Sequence, residues 1–253
     1  MQLHRFYLPP AHCGGEVLRL DGQEARHALR VLRLKSGDEA MVLDGAGNEF
    51  FCEVETVSRD SLSLRIRKRN FAPPLPCSIT LFVGIPRGKI IEGIIQKSVE
   101  LGAHTIVPLL TDRVVTRLDA HNAARKREQW RQVAVEAMKQ CGAPRLPEIG
   151  TPADVGQILA QKERIELQLV GSLQTDRRHP WDIFREFQKA SGRSPQSVAV
   201  WIGPEGDFTP DELGAIQKNG AHPISLGRLV LRVETAAIYC LSILNYEYNS
   251  LMG

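Results

Sequence analysis

Between Val198 and Gly220 the chain reads VAVWIGPEGDFTPDELGAIQKNG, and few folds accommodate that order of residues. Val198 to Ile202 is a short, apolar, β-rich run of the buried-strand kind. It breaks at Gly203-Pro204-Glu205-Gly206, where two glycines and a proline in four positions force a tight turn and bare the backbone at the strand end. Thr209 suits the N-cap of a following helix, Pro210 its first position and Glu212 the capping-box position, and Gly220 suits its end. A short strand follows from about Pro223 to Leu226, then Gly227, a second irregular loop and a last helix from near Glu234-Thr235. Two such strands, expected as parallel neighbours, describe the carboxyl edge of an open α/β sheet, where ligands bind. Bare glycines there let backbone N–H and C=O groups reach an adenine edge or a ribose. The same pattern also serves as a plain α/β connection.

Upstream the alternation continues. Ser78 to Gly84 reads as strand and Arg87 to Leu101 as helix, with Ile91, Ile94, Ile95 and Val99 on one face and Gly102 as its stop. Thr105 to Leu110 returns as strand, so this is a βαβ unit and implies a parallel sheet. Helices from about Asn122 to Gln140, Asp154 to Gln161 and Trp181 to Lys189, with a strand from Ile165 to Val170, complete the series. Gly171-Ser172 makes another strand-end turn, so Gly171, Gly203 and Gly227 are expected around one pocket.

The first part of the chain is different. Arg5 to Leu8, Glu39 to Leu43, Phe50 to Val57 and Ser61 to Arg69 read as strands around a short helix from Gln23 to Arg33 and a hairpin turn at Asp44-Gly45-Ala46-Gly47-Asn48. Such a series predicts a small β-barrel. Phe71-Ala72-Pro73-Pro74-Leu75-Pro76, with three prolines in four positions, cannot lie inside a helix or central strand. The expected division is therefore 1–71, a linker at 72–76, and an α/β domain at 77–253.

Composition narrows the function classes. The net charge of +3 on 253 residues permits an anionic partner without demanding one. Cys13, Cys52, Cys77, Cys141 and Cys240 are scattered and odd in number, which argues against a disulfide framework or zinc site and for a reducing compartment. Without an apolar leader or a membrane-length segment, the expected location is the cytoplasm, with no metal and no membrane. Neither G-x-G-x-x-G after the first strand nor a P-loop lysine is present, which sets aside a dinucleotide- or nucleotide-dependent enzyme. Basic residues recur at Arg65, Arg67 and Arg69 on one face of a strand, at Arg30 and Arg33 on one helical face, and from Arg113 through Arg117 to Arg145. Each is either a solvated surface or a set of phosphate contacts. Lys89, Glu92 and Gln96 likewise share a polar helical face, and Cys141 reads as a small packed residue.

IGPEGDF followed by SLGRLVLRVETAA closely resembles the C-terminal signature of the small-subunit ribosomal RNA uridine N3-methyltransferases, SPOUT-class enzymes that use S-adenosylmethionine. His27-Ala28-Leu29-Arg30-Val31-Leu32-Arg33, the Lys89 to Gly102 helix and Gln140-Cys141-Gly142 resemble further segments of that family. The family usually carries glycine where this chain has Asp207, and Pro-Arg-Ile where it has Arg228-Leu229-Val230. Asp tolerates positive φ better than most residues, so the turn is expected to survive. The resemblance implies a SPOUT α/β trefoil-knot methyltransferase domain behind a PUA-like β-barrel, acting as a homodimer on 16S ribosomal RNA within the small ribosomal subunit. It assigns the cofactor to Val170, Gly171, Ile202, Gly203, Pro204, Gly206, Leu226, Gly227, Leu231 and Thr235. The candidate RNA contacts, each of which could equally be plain surface charge, are Arg5, His27, Arg30, Arg33, Arg65, Arg67, Lys89, Arg113 and Arg145.

Methyl transfer to uracil N3 needs a group for the developing oxygen charge, a route for the N3 proton and an in-line methyl. Arg232, Glu234 and Glu205 are the polar residues of the signature. Arg232 is expected to stabilise the oxygen. Glu234 either fixes Arg232, assists proton removal or favours the last helix's N-terminus. Glu205 either contacts substrate or closes its turn. Two readings compete: a methyltransferase for another RNA base, and a non-catalytic RNA-binding protein, favoured by Asp207 and the altered Gly227–Val230 segment.

Overall fold

The computed structural model describes residues 3–113, 119–161, 164–174 and 176–249. It divides into two compact units, one of residues 1–74 and 135–146 and the other of 75–134 and 147–253. Of the basic stretch from Arg113 to Arg117, only Arg113 lies within the described residues.

The first unit holds β1 (His4–Tyr7), β2 (Val17–Leu20), α1 (Gly22–Arg26), a π-helical turn (His27–Val31), β3 (Glu39–Leu43), β4 (Asn48–Val57) and β5 (Leu62–Phe71). The strands form one sheet in the order β1-β3-β4-β5-β2, with β1 parallel to β3 and the other pairs antiparallel. The expected barrel is thus a five-stranded mixed sheet with β1 and β2 at its edges. Phe6, Leu18, Leu20, Val42, Phe50, Val54, Leu62 and Leu64 fill its core. The Asp44 turn forms as its composition predicts. Asp44 Oδ1 accepts from the N–H groups of Ala46 and Asn48 at 2.8 and 2.9 Å.

A register shift between Phe51 and Cys52 gives β5 an extra residue at Arg67. Beyond it the alternation is inverted. Arg69 pairs with buried Phe50 and lies 5.6 Å over its ring, so it leaves the face that Arg65 occupies. The expected three-arginine stripe is broken there. Chain beyond the linker also belongs to this unit: Leu146 N–H donates to Gly45 O at 2.9 Å, and Gly47 N–H to Pro144 O at 3.0 Å.

The second unit contains β6 (Ser78–Gly84), α2 (Ile90–Glu100), β7 (Thr105–Leu109), the greater part of α3 (Ala120–Cys141), β8 (Glu148–Ile149), α4 (Val155–Ala160), β9 (Leu167–Gly171), α5 (Pro180–Ser191), β10 (Ser197–Ile202), α6 (Pro210–Lys218), β11 (Ala221–Ile224) and α7 (Val233–Tyr248). Six parallel strands run β11-β9-β10-β6-β7-β8. The two signature strands are therefore not neighbours, because β9 lies between β10 and β11. Ile91, Ile94, Ile95 and Val99 of α2 are buried, as their spacing requires. The α6 start carries both halves of its capping box: Glu212 N–H donates to Thr209 Oγ1 at 3.3 Å and Thr209 N–H to the Glu212 carboxylate at 2.8 Å. Cys141 is exposed at the end of α3, not packed, since the helix stops there and Gly142 turns at φ +79°.

Candidate active site

The carboxyl ends of β9, β10 and β11 and the first turn of α7 enclose a cavity of about 280 Å³. That is near the small end for ligand sites. Glycine is needed at three positions around it, for different reasons. A Cβ at Gly84, at the end of β6, would sit 2.5 Å from Pro204 N and 2.6 Å from its ring, so only glycine lets the Gly203-Pro204 turn lie against the strand. A Cβ at Gly203 would meet Asp207 Oδ1 at 2.9 Å. Gly227 has open space around it but a φ of +111°, which side-chain-bearing residues rarely adopt.

Asp207 holds the turn that the family usually closes with glycine. Its φ is +62°, its N–H donates to Pro204 O at 2.9 Å, and its Oδ1 accepts from Phe208 N–H at 2.8 Å. The side-chain bond offsets the cost of the left-handed backbone. Asp207→Gly is accordingly expected to leave stability within about 1 kcal/mol of the parent, while Asp207→Val, β-branched and without the acceptor, costs about 2–3 kcal/mol. Thermal unfolding of the two variants measures the difference.

Of the residues assigned to the cofactor, Gly171, Ile202, Gly203, Pro204, Leu226, Gly227 and Leu231 line the cavity. Three do not. Val170 is sealed within the sheet, Gly206 faces the Arg113 side chain, and Thr235 is exposed on α7. Arg232 and Glu205 line the wall and Glu234 does not. Arg232 is the N-cap residue of α7, exposed, and without a side-chain bond among the described residues. Glu234 sits in the first turn of the helix and makes no bond to Arg232, which leaves its helix-end role. Glu205 Oε1 accepts from Arg87 N–H at 3.0 Å, tying its turn to the loop after β6. Sequence reasoning missed Ser172, Leu173, Arg177, Leu229, Val230, Val233 and Ala236 as wall residues. They lie in irregular chain or just inside a helix, where no periodicity marks a ligand-facing position.

The residues assigned to RNA fall into two groups. Arg65 pairs with Glu55, and Arg67 with Glu53 at 2.9 Å, so that part of the sheet is largely neutralised. Arg5 donates to Gln140 O at 3.2 Å, at the end of α3, and Arg113 donates to Gly206 O. Arg145 donates to Ala72 O at 2.9 Å and lies 5.4 Å over the Phe71 ring. These five have work inside the fold. His27, Arg30, Arg33 and Lys89 are exposed, and no side-chain hydrogen bond or ion pair engages them among the described residues. His27 meets Phe6 edge-on at 6.4 Å, and Arg33 has a φ of +56°. His27 and Arg30 share a cavity of about 290 Å³ with Arg26, Glu24 and Lys139. Burial pulls the Lys139 ammonium down, but its bonds to Glu136 and Glu24 outweigh that and keep it above the ordinary lysine range.

Arg145→Ala is therefore expected to lower stability by about 1–3 kcal/mol, through a lost hydrogen bond and ring contact, with the salt slope of RNA binding unchanged. Arg30→Ala is expected to do the opposite, reducing that slope by about 1 at unchanged stability. Denaturant titration and RNA binding across a salt series separate the two.

Residues 73–245 match the family model of the RNA methyltransferase domain, and residues 20–67 match that of the RNA methyltransferase PUA domain. The chain belongs to the RNA methyltransferase family. Among other members, it is 31% identical over 235 residues to the ribosomal RNA small subunit methyltransferase E of Bacillus subtilis, covering 92% of this chain and 91% of that one. A Legionella pneumophila methyltransferase-like protein solved with SAM bound superposes with a TM-score of 0.86 at 31% identity, over 98% of each chain. The ribosomal RNA small subunit methyltransferase E of Neisseria gonorrhoeae, bound to S-adenosyl methionine, gives a TM-score of 0.86 at 25% identity, over 99% of this chain and 100% of that one. The RNA methyltransferase domain spans the whole cavity, and the PUA domain includes His27, Arg30 and Arg33.

Proposed function

We propose that this RNA methyltransferase transfers a methyl group from S-adenosylmethionine to N3 of a specific uridine in the small-subunit ribosomal RNA. The observation that carries the reading is the glycine-framed cavity at the carboxyl edge of the sheet, with an arginine at its α7 wall that is unpaired among the described residues, in a chain whose relatives are named ribosomal RNA small subunit methyltransferases. The residues present suit the cofactor. Backbone at Gly171, Gly203 and Gly227 is open to an adenine edge or ribose, and Ile202, Leu226 and Leu231 supply apolar cover.

The cofactor brings an electrophilic methyl on a sulfonium. The remaining work falls to side chains of this chain. Arg232, at the wall, stabilises the negative charge that develops on a uracil oxygen as N3 becomes nucleophilic. Of the two wall carboxylates, Asp207 is engaged within its own turn. Glu205 is held through Oε1 by Arg87 N–H, which leaves Oε2 to receive the N3 proton. His27, Arg30, Arg33 and Lys89 contact RNA phosphates. The 16S ribosomal RNA is the intended strand, within the small subunit, and the location is the cytoplasm.

Two further features belong to the same reading: a trefoil knot at the chain end, and a homodimer. The apolar residues Ile238, Leu241, Ile243 and Leu244 of α7 suit an interface or core packing equally, and Leu241 and Leu244 take the second role, fully buried in the core. The face left for a partner carries half-buried Ile238 and Ile243 with exposed Tyr239. The non-catalytic alternative loses its main support, because Asp207 keeps the turn intact.

Labelled methyl transfer to small subunits lacking the modification, followed by nucleoside analysis, tests the reading. Label in N3-methyluridine is the expected result. Label in another nucleoside overturns the uridine-N3 assignment, and intact cofactor binding without transfer to this RNA overturns the substrate.

A further inference from the structure

We infer that Trp181 and Arg185, on the exposed face of α5, form a stacking platform for an unpaired base of the RNA substrate at the edge of the active-site cavity. This rests on the reading of ribosomal RNA as substrate. The chain has three tryptophans, and two of them are enclosed: Trp130 is 3% exposed and Trp201 1%. Trp201 has evident internal work, since it stacks on Phe82 with ring centroids 4.0 Å apart and donates to Gln168 Oε1 at 3.1 Å. Trp181 is 52% exposed. The Arg185 guanidinium lies 4.3 Å from its ring centroid, one helical turn along. Pro180, Ile183 and Phe184 are the side of α5 that packs inward, so the indole is not part of the core.

Position gives this pair a function. A helix that follows a parallel strand begins at the carboxyl edge of the sheet, the edge on which ligands bind. Trp181 is the second residue of α5, and the chain leading into it forms part of the cavity. Arg177 lines the wall, and Arg178 pairs with the end of β11, where Ser225 N–H donates to Arg178 O at 2.8 Å. Leu226 and Gly227, the next residues after that bond, line the cavity as well.

Charge selects the occupant. Trp181, Arg185 and Lys189 recur at four-residue intervals on one exposed face. The nearby Glu186 is held by Arg178 at 2.9 Å, so it does not cancel Arg185. On α5 itself the exposed aromatic face is flanked by Arg185 and Lys189, with Asp182 and Gln188 beside it, a more polar setting than a protein-binding hot spot has. It has what an unstacked nucleobase takes from a protein: a π surface, a guanidinium plane and positive charge for the adjoining phosphates.

Because Trp181 alone among the tryptophans reaches solvent, acrylamide quenching of intrinsic fluorescence reports on it in the unaltered full chain. Added 16S ribosomal RNA, which contains no tryptophan, is expected to protect the quenchable emission, and Trp181→Phe to remove that signal. In labelled methyl transfer, Trp181→Ala is expected to raise KM for RNA by about tenfold with unchanged affinity for S-adenosylmethionine, and Trp181→Phe to restore most of it. Unchanged quenching on RNA binding, or an unaltered KM in Trp181→Ala, overturns the platform. So does protection that follows protein concentration without RNA, which would mean a second copy covers the face. Methyl transfer by the parent chain is read in the same assay, so failure of the substrate reading and failure of the platform are told apart.

Discussion

Arg232→Ala is expected to slow single-turnover methyl transfer by about 10²–10³-fold while cofactor affinity stays within about twofold of the parent. A donor aimed at charge that exists only in the transition state contributes to the rate and almost nothing to ground-state binding, and removing one such donor typically costs about 3–4 kcal/mol. Arg232 suits that part because its guanidinium has no carboxylate or carbonyl partner among the described residues, although it lines the cavity. Its backbone is held independently, since Arg232 O accepts from Ala236 N–H at 2.8 Å as α7 begins. The truncation should therefore leave the helix in place. Arg232→Lys keeps the charge but not the planar fork, so it should recover only part of the rate. Rapid-quench measurement of labelled transfer, with calorimetric titration of the cofactor, gives both quantities. Parent-like turnover in Arg232→Ala would remove the assignment.

Gly84→Ala is expected to weaken cofactor binding at least tenfold and to lower stability by about 1–3 kcal/mol, although Gly84 touches no proposed reacting atom. A single methyl there would lie 2.5 Å from Pro204 N and 2.6 Å from Pro204 Cδ. Neither is the loose end of a side chain. Either β6 must part from β10, to which it is paired along its length, or the Gly203-Pro204 turn must move into the cavity. Gly93→Ala is the matched control. That glycine lies inside α2, and apart from the helix's own backbone the added methyl would meet nothing within 4 Å among the described residues, so the same change should raise stability by about 0.5–1 kcal/mol and leave the site alone. Unfolding midpoints and cofactor titrations of the two variants should move in opposite directions. Matching behaviour would mean that the packing of Gly84 on Pro204 does not shape the pocket.

Legibility in the sequence followed the range of the forces involved. The caps of α6 were readable because Thr209, Pro210 and Glu212 act within one turn of each other, and the span of β6 was readable from the β-rich run between Ser78 and Gly84. The meeting of Gly171, Gly203 and Gly227 around one cavity was legible too, since strand-end glycines in a parallel sheet gather at one edge. Strand order was not. Nothing local to β10 or β11 says that β9 separates them, because that choice is made by packing across the sheet. The extra residue at Arg67 was equally silent, and it moved Arg69 to the other face. Arg145 shows the limit for single residues. Its charge suggested phosphate, whereas its bond to Ala72 O spans 73 positions of sequence.

The first unit is not a continuous length of chain, and this has a consequence for its inheritance. Residues 135–146 return to it: Lys139 pairs with Glu24 at 2.7 Å, Arg5 is held by Gln140 O, and Leu146 and Pro144 hydrogen-bond the Gly45–Gly47 turn. A gene fragment ending at the prolines would encode the five strands and omit the segment that closes them. Such a unit cannot be shuffled as a cassette. Any crossover between residues 74 and 135 would mate strands with a return segment of different ancestry, so the two stretches are bound to change together or lose their fit.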